Sequence, residues 1–331
     1  MKKYFIIIFL FLAIAKSWCQ VTQIRDTVLM GSNFRITVVD SDELTAEQHI
    51  NAAIEEIRRI EYLISDWIPT TPLSQVNQNA GIKPVVVPTE LIEVTQRAIK
   101  YSQMTQGAFD ITFAAMDRIW KFDGSMEAIP SQESIAHAIR NIGYQNIQID
   151  EEKSTLFLPK TGMKMGFGSI GKGYAAEKAK ELLKKLGTNA AIVDASGDMA
   201  MYGTQISGDP WKIGIQNPVK TQKWADILAI TSGAVTTSGD YQKYIYIGEK
   251  RYAHIINPKT GWPSSGLTSV TIVGPDAEIA NVFSTAIMVL GAEEGKKLLK
   301  NYPHYAGLFI TDNGKIIRTK NYKKVLKTLK K

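Results

Sequence analysis

The chain has 331 residues, a formal net charge of +7, four histidines and one cysteine, Cys19. That length provides for one large domain or two closely joined ones, and a lone cysteine excludes a disulfide framework or a cysteine-based metal centre. Much of the excess charge lies in "KNYKKVLKTLKK", Lys320 to Lys331. With no zinc-finger spacing, RNP-like aromatic strand or low-complexity tract, no nucleic-acid partner is expected.

The chain opens with "MKKYFIIIFLFLAIAKSWCQ": two lysines, an apolar run from Tyr4 to Ala15, then small and polar residues. This is the layout of a secretory signal, too short for a stable membrane span. Ser17 and Cys19 stand at the minus-three and minus-one positions, so cleavage is expected after Cys19, with 20–331 as one mature domain. The bulky Trp18 argues against lipid attachment at Cys19.

Next, "NFRITVV" (Asn33 to Val39) alternates like a half-buried strand. Ile50, Ile54, Ile57, Ile60 and Ile64 keep helical spacing between Thr45 and Ser65. A helix follows Pro88 and runs to about Thr105, before Gly107, and "SQESIAHAIRNIG" predicts a short one ending at Gly143. Strands "NIQID" and "STLFLP" precede a helix from Gly171 to Leu186. Then come "AAIVDA", "WKIGI", "DILAITS", "KYIYIG", "RYAHII" and "TSVTIV". "GLFITDNGKIIRT" is a hairpin turning at Asn313-Gly314, and Tyr322, Val325, Leu326 and Leu329 predict a terminal helix with a basic outer face. Strands mixed with helices, without regular alternation or repeats, indicate an α+β or mixed α/β domain.

Five stretches carry chemistry. "MGFGSIGKGYAAEKA", Met165 to Ala179, places glycines and Lys172 at a helix start, where unpaired amides can cradle phosphate. A tight strand-to-helix turn would look similar. "AIVDASGDMAMYG" and "TTSGDYQKY" read as small-residue turns, the second with a hydroxyl cluster. "RYAHIINPKTGWP" holds His254 inside a strand before a polar turn. In "AEIANVFSTAIMVLG", an otherwise apolar helix, Asn281 and Thr285 stack on one face.

Further matches occur in order: Met30-Gly31-Ser32, Gly107 to Thr112, Trp120, Ile170 to Tyr174, Ser196-Gly197-Asp198, Trp211 with Gly214-Ile215, Thr237 to Tyr241, His254 to Gly261, and Ser269-Val270-Thr271. Together they resemble the ApbE-type FAD:protein FMN transferases over most of the mature chain, about Met30 to Gly291. The resemblance implies an α+β, ApbE/T-fold-like mixed domain with antiparallel-rich sheets and packed helices. It implies an exported enzyme of the periplasm that splits FAD with Mg²⁺ and esterifies FMN to a threonine of an acceptor redox protein, releasing AMP. The acceptor segment would read Ser/Asp-Gly-Ala/Ser-Thr, and membrane association would come only through that target or an uncleaved N-terminus. By residue-wise match, Met30, Trp67 (where the family has Tyr), Ala108, Phe109, Asp110, Lys172 and Ile255 would line the FAD site. Trp67 would stack on a ring, Asp110 would accept a ribose or ring N–H bond, and Lys172 would supply positive charge. His254 matches the catalytic histidine, and the metal would lie on Asn281, Thr285 and the Ser169 carbonyl.

This chain departs from the family pattern at several of these positions. Asn281 replaces an Asp, and a neutral amide oxygen is a poorer Mg²⁺ ligand than a carboxylate; Asp276 or Glu278 could lend the missing charge. Gly166 stands where the family commonly has an Asp in its FAD contacts, Ser169 and Ser196 replace small residues, and Asn257 replaces an Asp that shapes a turn. Three functions therefore remain open: FMN transferase, non-catalytic flavin-binding relative, and FAD pyrophosphatase. The chain's own "SGAV", Ser232 to Val235, lacks the final hydroxyl, so self-flavinylation there is not expected.

Overall fold

The computed structural model describes residues 20–116, 118–240 and 244–330; the expected signal, 1–19 with Cys19, and Tyr241 of the hydroxyl-rich motif lie outside the described residues. Strands β1 (Val21–Leu29) and β2 (Ser32–Asp40) pair in full register, from Val21 opposite Asp40 to Leu29 opposite Ser32. Their turn, Met30-Gly31, has positive φ at both residues (51° and 65°), the hand that suits strand twist. Helix α1 (Glu43–Ile64) is capped by Asp42, whose carboxylate accepts from the Thr45 amide. Its isoleucine stripe is buried as the spacing predicts.

Helix α2 (Pro72–Gln78), β3 (Val85–Val86) and α3 (Thr89–Met104) follow, and α3 ends ahead of Gln106 and Gly107, both with positive φ. Helix α4 (Gln132–Ala138) has its Ser131 cap but stops before Gly143. Strands β4 (Gln148–Asp150) and β5 (Thr155–Phe157) form a small antiparallel sheet with β3. Beyond α5 (Gly171–Lys185) come β6 (Ala190–Ala195), β7 (Asp198–Tyr202), β8 (Trp211–Gln216), β9 (Trp224–Ile230) and β10 (Ser232–Gly239). Strands β11 (Tyr244–Ile247), β12 (Lys250–Ala253) and β13 (Leu267–Gly274) precede α6 (Ala277–Lys300), β14 (Ala306–Thr311), β15 (Ile316–Arg318) and α7 (Tyr322–Leu329).

Eight strands make one sheet in the order β1-β2-β6-β7-β10-β13-β14-β15, with every neighbour antiparallel. Alternation along the strands divides the core. Phe34, Ile36, Val38 and Val193 face α1, α5 and α6, whereas Val39, Met201, Val235 and Val273 face the β8–β9 hairpin and α7. Strand β13 is buried along its whole length.

Besides the shorter α4, several elements differ from the sequence expectation. Thr236 to Gly239 continue β10 instead of turning; Thr237 pairs across to Thr271 at 2.9 Å and Ser238 to Ser284 of α6 at 2.9 Å, so no apolar alternation marks them. Strand β12 ends at Ala253, leaving His254 just beyond it, because the chain there bends toward the 257–261 turn. Helix α6 kinks at Gly291 (φ 79°, ψ 174°) and runs on to Lys300. Strand β1 alternates half-buried with exposed residues of mixed polarity, and pairing with β2 is what makes it a strand. Among the described residues no helix is long and apolar enough to cross a membrane.

Candidate active site

Helices α5 and α6 touch where Gly173 lacks a side chain: a Cβ there would lie 2.5 Å from the Ala277 carbonyl oxygen and 2.8 Å from Asn281 Cβ. This close approach brings the start of α5 against the polar face of α6. Ile170 caps α5 without a side-chain bond; the Gly171 amide donates to the Phe167 carbonyl at 2.6 Å, which leaves the Lys172 and Gly173 amides to an anion. Ser196 and Gly197 (φ 55° and 93°) turn β6 tightly into β7, which sets Asp198 beneath the two helices with 1% of its surface exposed.

Asp198 joins the two helices. One carboxylate oxygen lies 2.6 Å from Lys172 Nζ, and the other accepts from Asn281 Nδ2 at 3.2 Å. Lys172 also donates to the Ala195 carbonyl at 3.3 Å. Burial pushes the Asp198 carboxyl up from its ordinary range, and the lysine pulls it back. The expected free positive charge of Lys172 is therefore half of an ion pair, and any negative group it meets shares it with Asp198. Because the Asn281 amide nitrogen is spent on Asp198, its oxygen turns away; that oxygen is buried with no hydrogen-bond partner. Thr285, one turn further along α6, lies 3.3 Å from Ser238 Oγ on β10. Asp276 and Glu278 do not serve this face. Asp276 caps α6 through the Ile279 amide and Glu278 pairs with Arg97 at 2.8 Å.

The opposite wall comes from three loops. Trp67, after α1, is 74% exposed, and the Arg118 guanidinium lies 5.0 Å from its ring centre. Ala108, Phe109 and Asp110 follow the turn at Gly107. Asp110 does not carry a spare carboxylate: it accepts from the Thr112 amide and hydroxyl and from the Tyr144 amide. Its first duty is to hold this loop, and burial outweighs those bonds to raise its carboxyl. His254 meets Phe122 edge-on, with ring centres 6.4 Å apart. The turn after it is shaped by Asn257, whose side chain accepts from the Lys259 amide while its carbonyl accepts from the Gly261 amide. Asn serves here as well as Asp.

These walls enclose a hollow of about 800 Å³, within the range of small-ligand sites. Trp67, Ala108, Phe109, Asp110, Ser169, Lys172, His254, Ile255, Asn281 and Thr285 all line it. Met30 does not; its methyl group packs beside Gly171 behind the wall, 3.3 Å from where a Cβ would stand. Two carboxylates of the hollow were not among the predicted site residues: Asp66 and Asp198. Asp198 showed in the sequence as part of a turn and of one family match, without a role, and Asp66 gave no signal, since nothing in the order of residues tells which loops converge.

Among the described residues no three His, Cys, Asp or Glu side chains group as a metal site. The orphaned Asn281 oxygen, with Thr285 and Ser169 on the same hollow, nevertheless fits a hard cation, which takes neutral oxygen ligands.

An antiparallel mixed fold whose hollow joins helix-start amides, a lysine–carboxylate pair, an oxygen-bearing helix and a histidine defines a ligand-binding protein with a charged centre. The chain belongs to the ApbE family, whose sequence model matches residues 30–309. It is 30% identical over 306 residues to the FAD:protein FMN transferase of Treponema pallidum, covering 86% of this chain and 83% of that one. With the FAD:protein FMN transferase of Haemophilus influenzae it shares 29% identity over 311 residues, 90% of each chain. The crystal structure of the ApbE protein from Thermotoga maritima superimposes with a TM-score of 0.83 at 30% identity, covering 92% of this chain and 99% of that one. The apo flavinyl transferase ApbE of Pseudomonas stutzeri gives 0.81 at 27%, covering 93% and 97%.

Proposed function

We propose that this chain is an FAD:protein FMN transferase. The observation that carries the reading is the single hollow shared by the start of α5, the Asn281–Thr285 face and His254; names of relatives matched over most of their length support it. The pyrophosphate of FAD would lie at the α5 start, where amides and Lys172 meet its negative charge. Asn281 Oδ1, Thr285 Oγ1 and the Ser169 carbonyl would hold Mg²⁺, which when bound neutralises phosphate charge that repels an incoming oxygen. Trp67 would stack on a ring of the dinucleotide.

His254 takes the proton of the acceptor threonine hydroxyl as that oxygen bonds to the FMN phosphorus. The phosphorus–oxygen bond to the AMP half breaks, and AMP leaves with the electron pair. An imidazole titrates near neutrality and suits this task. The acceptor would be a redox protein carrying Ser/Asp-Gly-Ala/Ser-Thr, and the chain would work in the periplasm after loss of 1–19. Intact mass of the exported protein checks the last point: a chain still starting at Met1 contradicts it.

The deciding assay mixes the purified chain, FAD, Mg²⁺ and such an acceptor and reads covalent FMN on the threonine by mass. The neutral Asn281 favours two other readings, and the same assay separates them. Free FMN and AMP with an unmodified acceptor indicate a pyrophosphatase; FAD bound and recovered intact indicates a flavin-binding protein. Either result refutes the transferase reading.

A further inference from the structure

We propose that Asp66 is a specificity-determining residue of this hollow, its carboxylate accepting a hydrogen bond from the N–H or amino group of a nitrogen heterocycle stacked on Trp67. The inference rests on the reading that the hollow takes FAD.

Asp66 lines the hollow beside Trp67. Both sit on the short link between α1 and α2, which is held from within. Thr71 Oγ1 donates to the Ser65 carbonyl at 2.5 Å, Ser74 Oγ donates to the same carbonyl at 3.3 Å, and Ser65 Oγ accepts from the Trp67 amide at 3.3 Å. The pair is thus presented on a braced loop, and ordering it on binding costs little. No other described residue donates a hydrogen bond to the Asp66 carboxylate. It faces open space, but the surrounding protein is dense enough to raise its carboxyl from the ordinary range, against the pull of Lys164 and Arg118.

The second observation is Gly166. Its φ is not in the left-handed region, so the backbone does not demand glycine there. Its place is fixed: its amide donates to the Ile111 carbonyl at 2.9 Å, and the neighbouring Met165 exchanges two hydrogen bonds with the Asn77 side chain, each 2.8 Å. A Cβ at 166 would stand 2.9 Å from Ala114 Cβ and 3.3 Å from Asp66 Oδ2. Ala114 and the Asp66 carboxylate therefore border the corner that a side chain at 166 would fill. A carboxylate reaches this wall of the hollow from the α1–α2 link and not from the glycine-rich segment before α5. An acceptor-only group beside an aromatic face selects a ring edge that offers a donor.

The test titrates wild type, Asp66→Ala, Asp66→Asn and Asp66→Glu with FAD, FMN and AMP, following flavin fluorescence or heat, with circular dichroism to verify folding. Asp66→Ala is expected to weaken FAD binding about 10- to 100-fold, the range of a charge-assisted hydrogen bond. Asp66→Asn should weaken it less, and Asp66→Glu should recover part of the loss. A loss shared by FAD and FMN but not AMP assigns the flavin ring; one shared by FAD and AMP but not FMN assigns adenine. Wild-type FAD affinity in a folded Asp66→Ala overturns this proposal alone. A wild-type chain that binds no FAD overturns the parent reading and this one together.

Discussion

Asn281→Asp tests the centre of the site, because it puts a second carboxylate beside one that the site already holds. The Asn281 amide lies 3.2 Å from Asp198 Oδ1, so the new carboxylate would face Asp198 where an N–H donor stood. At an effective dielectric of about 20, two unit charges about 3.2 Å apart repel by about 5 kcal/mol. Lys172, 2.6 Å from the other Asp198 oxygen, offsets part of this. Protonating one carboxyl sets a ceiling, since lifting a pKa from about 3.9 to about 7 costs about 4 kcal/mol at neutral pH. A net loss of about 2–4 kcal/mol follows. With about 2.1 cal/mol/K of unfolding entropy per residue over roughly 310 residues, this lowers Tm by about 3–6 °C. A divalent cation reverses the sign of the effect, because the carboxylates that repel each other both attract it. The variant should melt below wild type in EDTA and regain or exceed wild-type stability in millimolar Mg²⁺, while wild type responds less. The raised carboxyl also makes the penalty fade as pH falls through its folded pKa toward the unfolded value. Equal melting of the two proteins in EDTA would show that position 281 does not face Asp198. An equal Mg²⁺ response would remove it from the cation site.

Two other substitutions separate binding from chemistry and from support. His254→Ala should leave FAD affinity within a few-fold of wild type but slow acceptor modification by about 10²–10⁴, read by single-turnover mass analysis; matched losses in binding and rate would instead make the histidine a ligand contact. Lys172→Met leaves Asp198 buried without its cation, at a cost near the lower end of about 3–5 kcal/mol, since the lysine side chain is 27% exposed. Its Tm should fall by about 4–5 °C near neutral pH. In that variant Asp198 has a folded pKa above its unfolded one. The deficit is therefore present at neutral pH and shrinks as pH falls through that folded value. A gap that stays constant between pH 8 and pH 5 would assign the loss to packing and not to the stranded carboxylate.

Local chemistry was readable from the order of residues. The isoleucine stripe of α1, the glycine-led start of α5, the Asn313-Gly314 hairpin and the pairing of Asn281 with Thr285 all depend on neighbours a few positions apart, and the structure has them. The strand of hydroxyls in β10 and the edge strand β1 were not readable: Thr271, distant in sequence, pairs with the first, and the second has no apolar alternation of its own and is a strand through its pairing with β2. The site divides in the same way. Its residue types could be named in advance, but the sequence could not show that Lys172 is neutralised by Asp198, that Asp110 is occupied by its own loop, or that Met30 stands behind the wall. Asp66 and Gly166 lie a hundred residues apart and share one corner. Short-range periodicity decides which elements form. Which charges cancel and which oxygen is left facing the hollow depends on through-space distances of a few ångströms, and only the packed chain sets those.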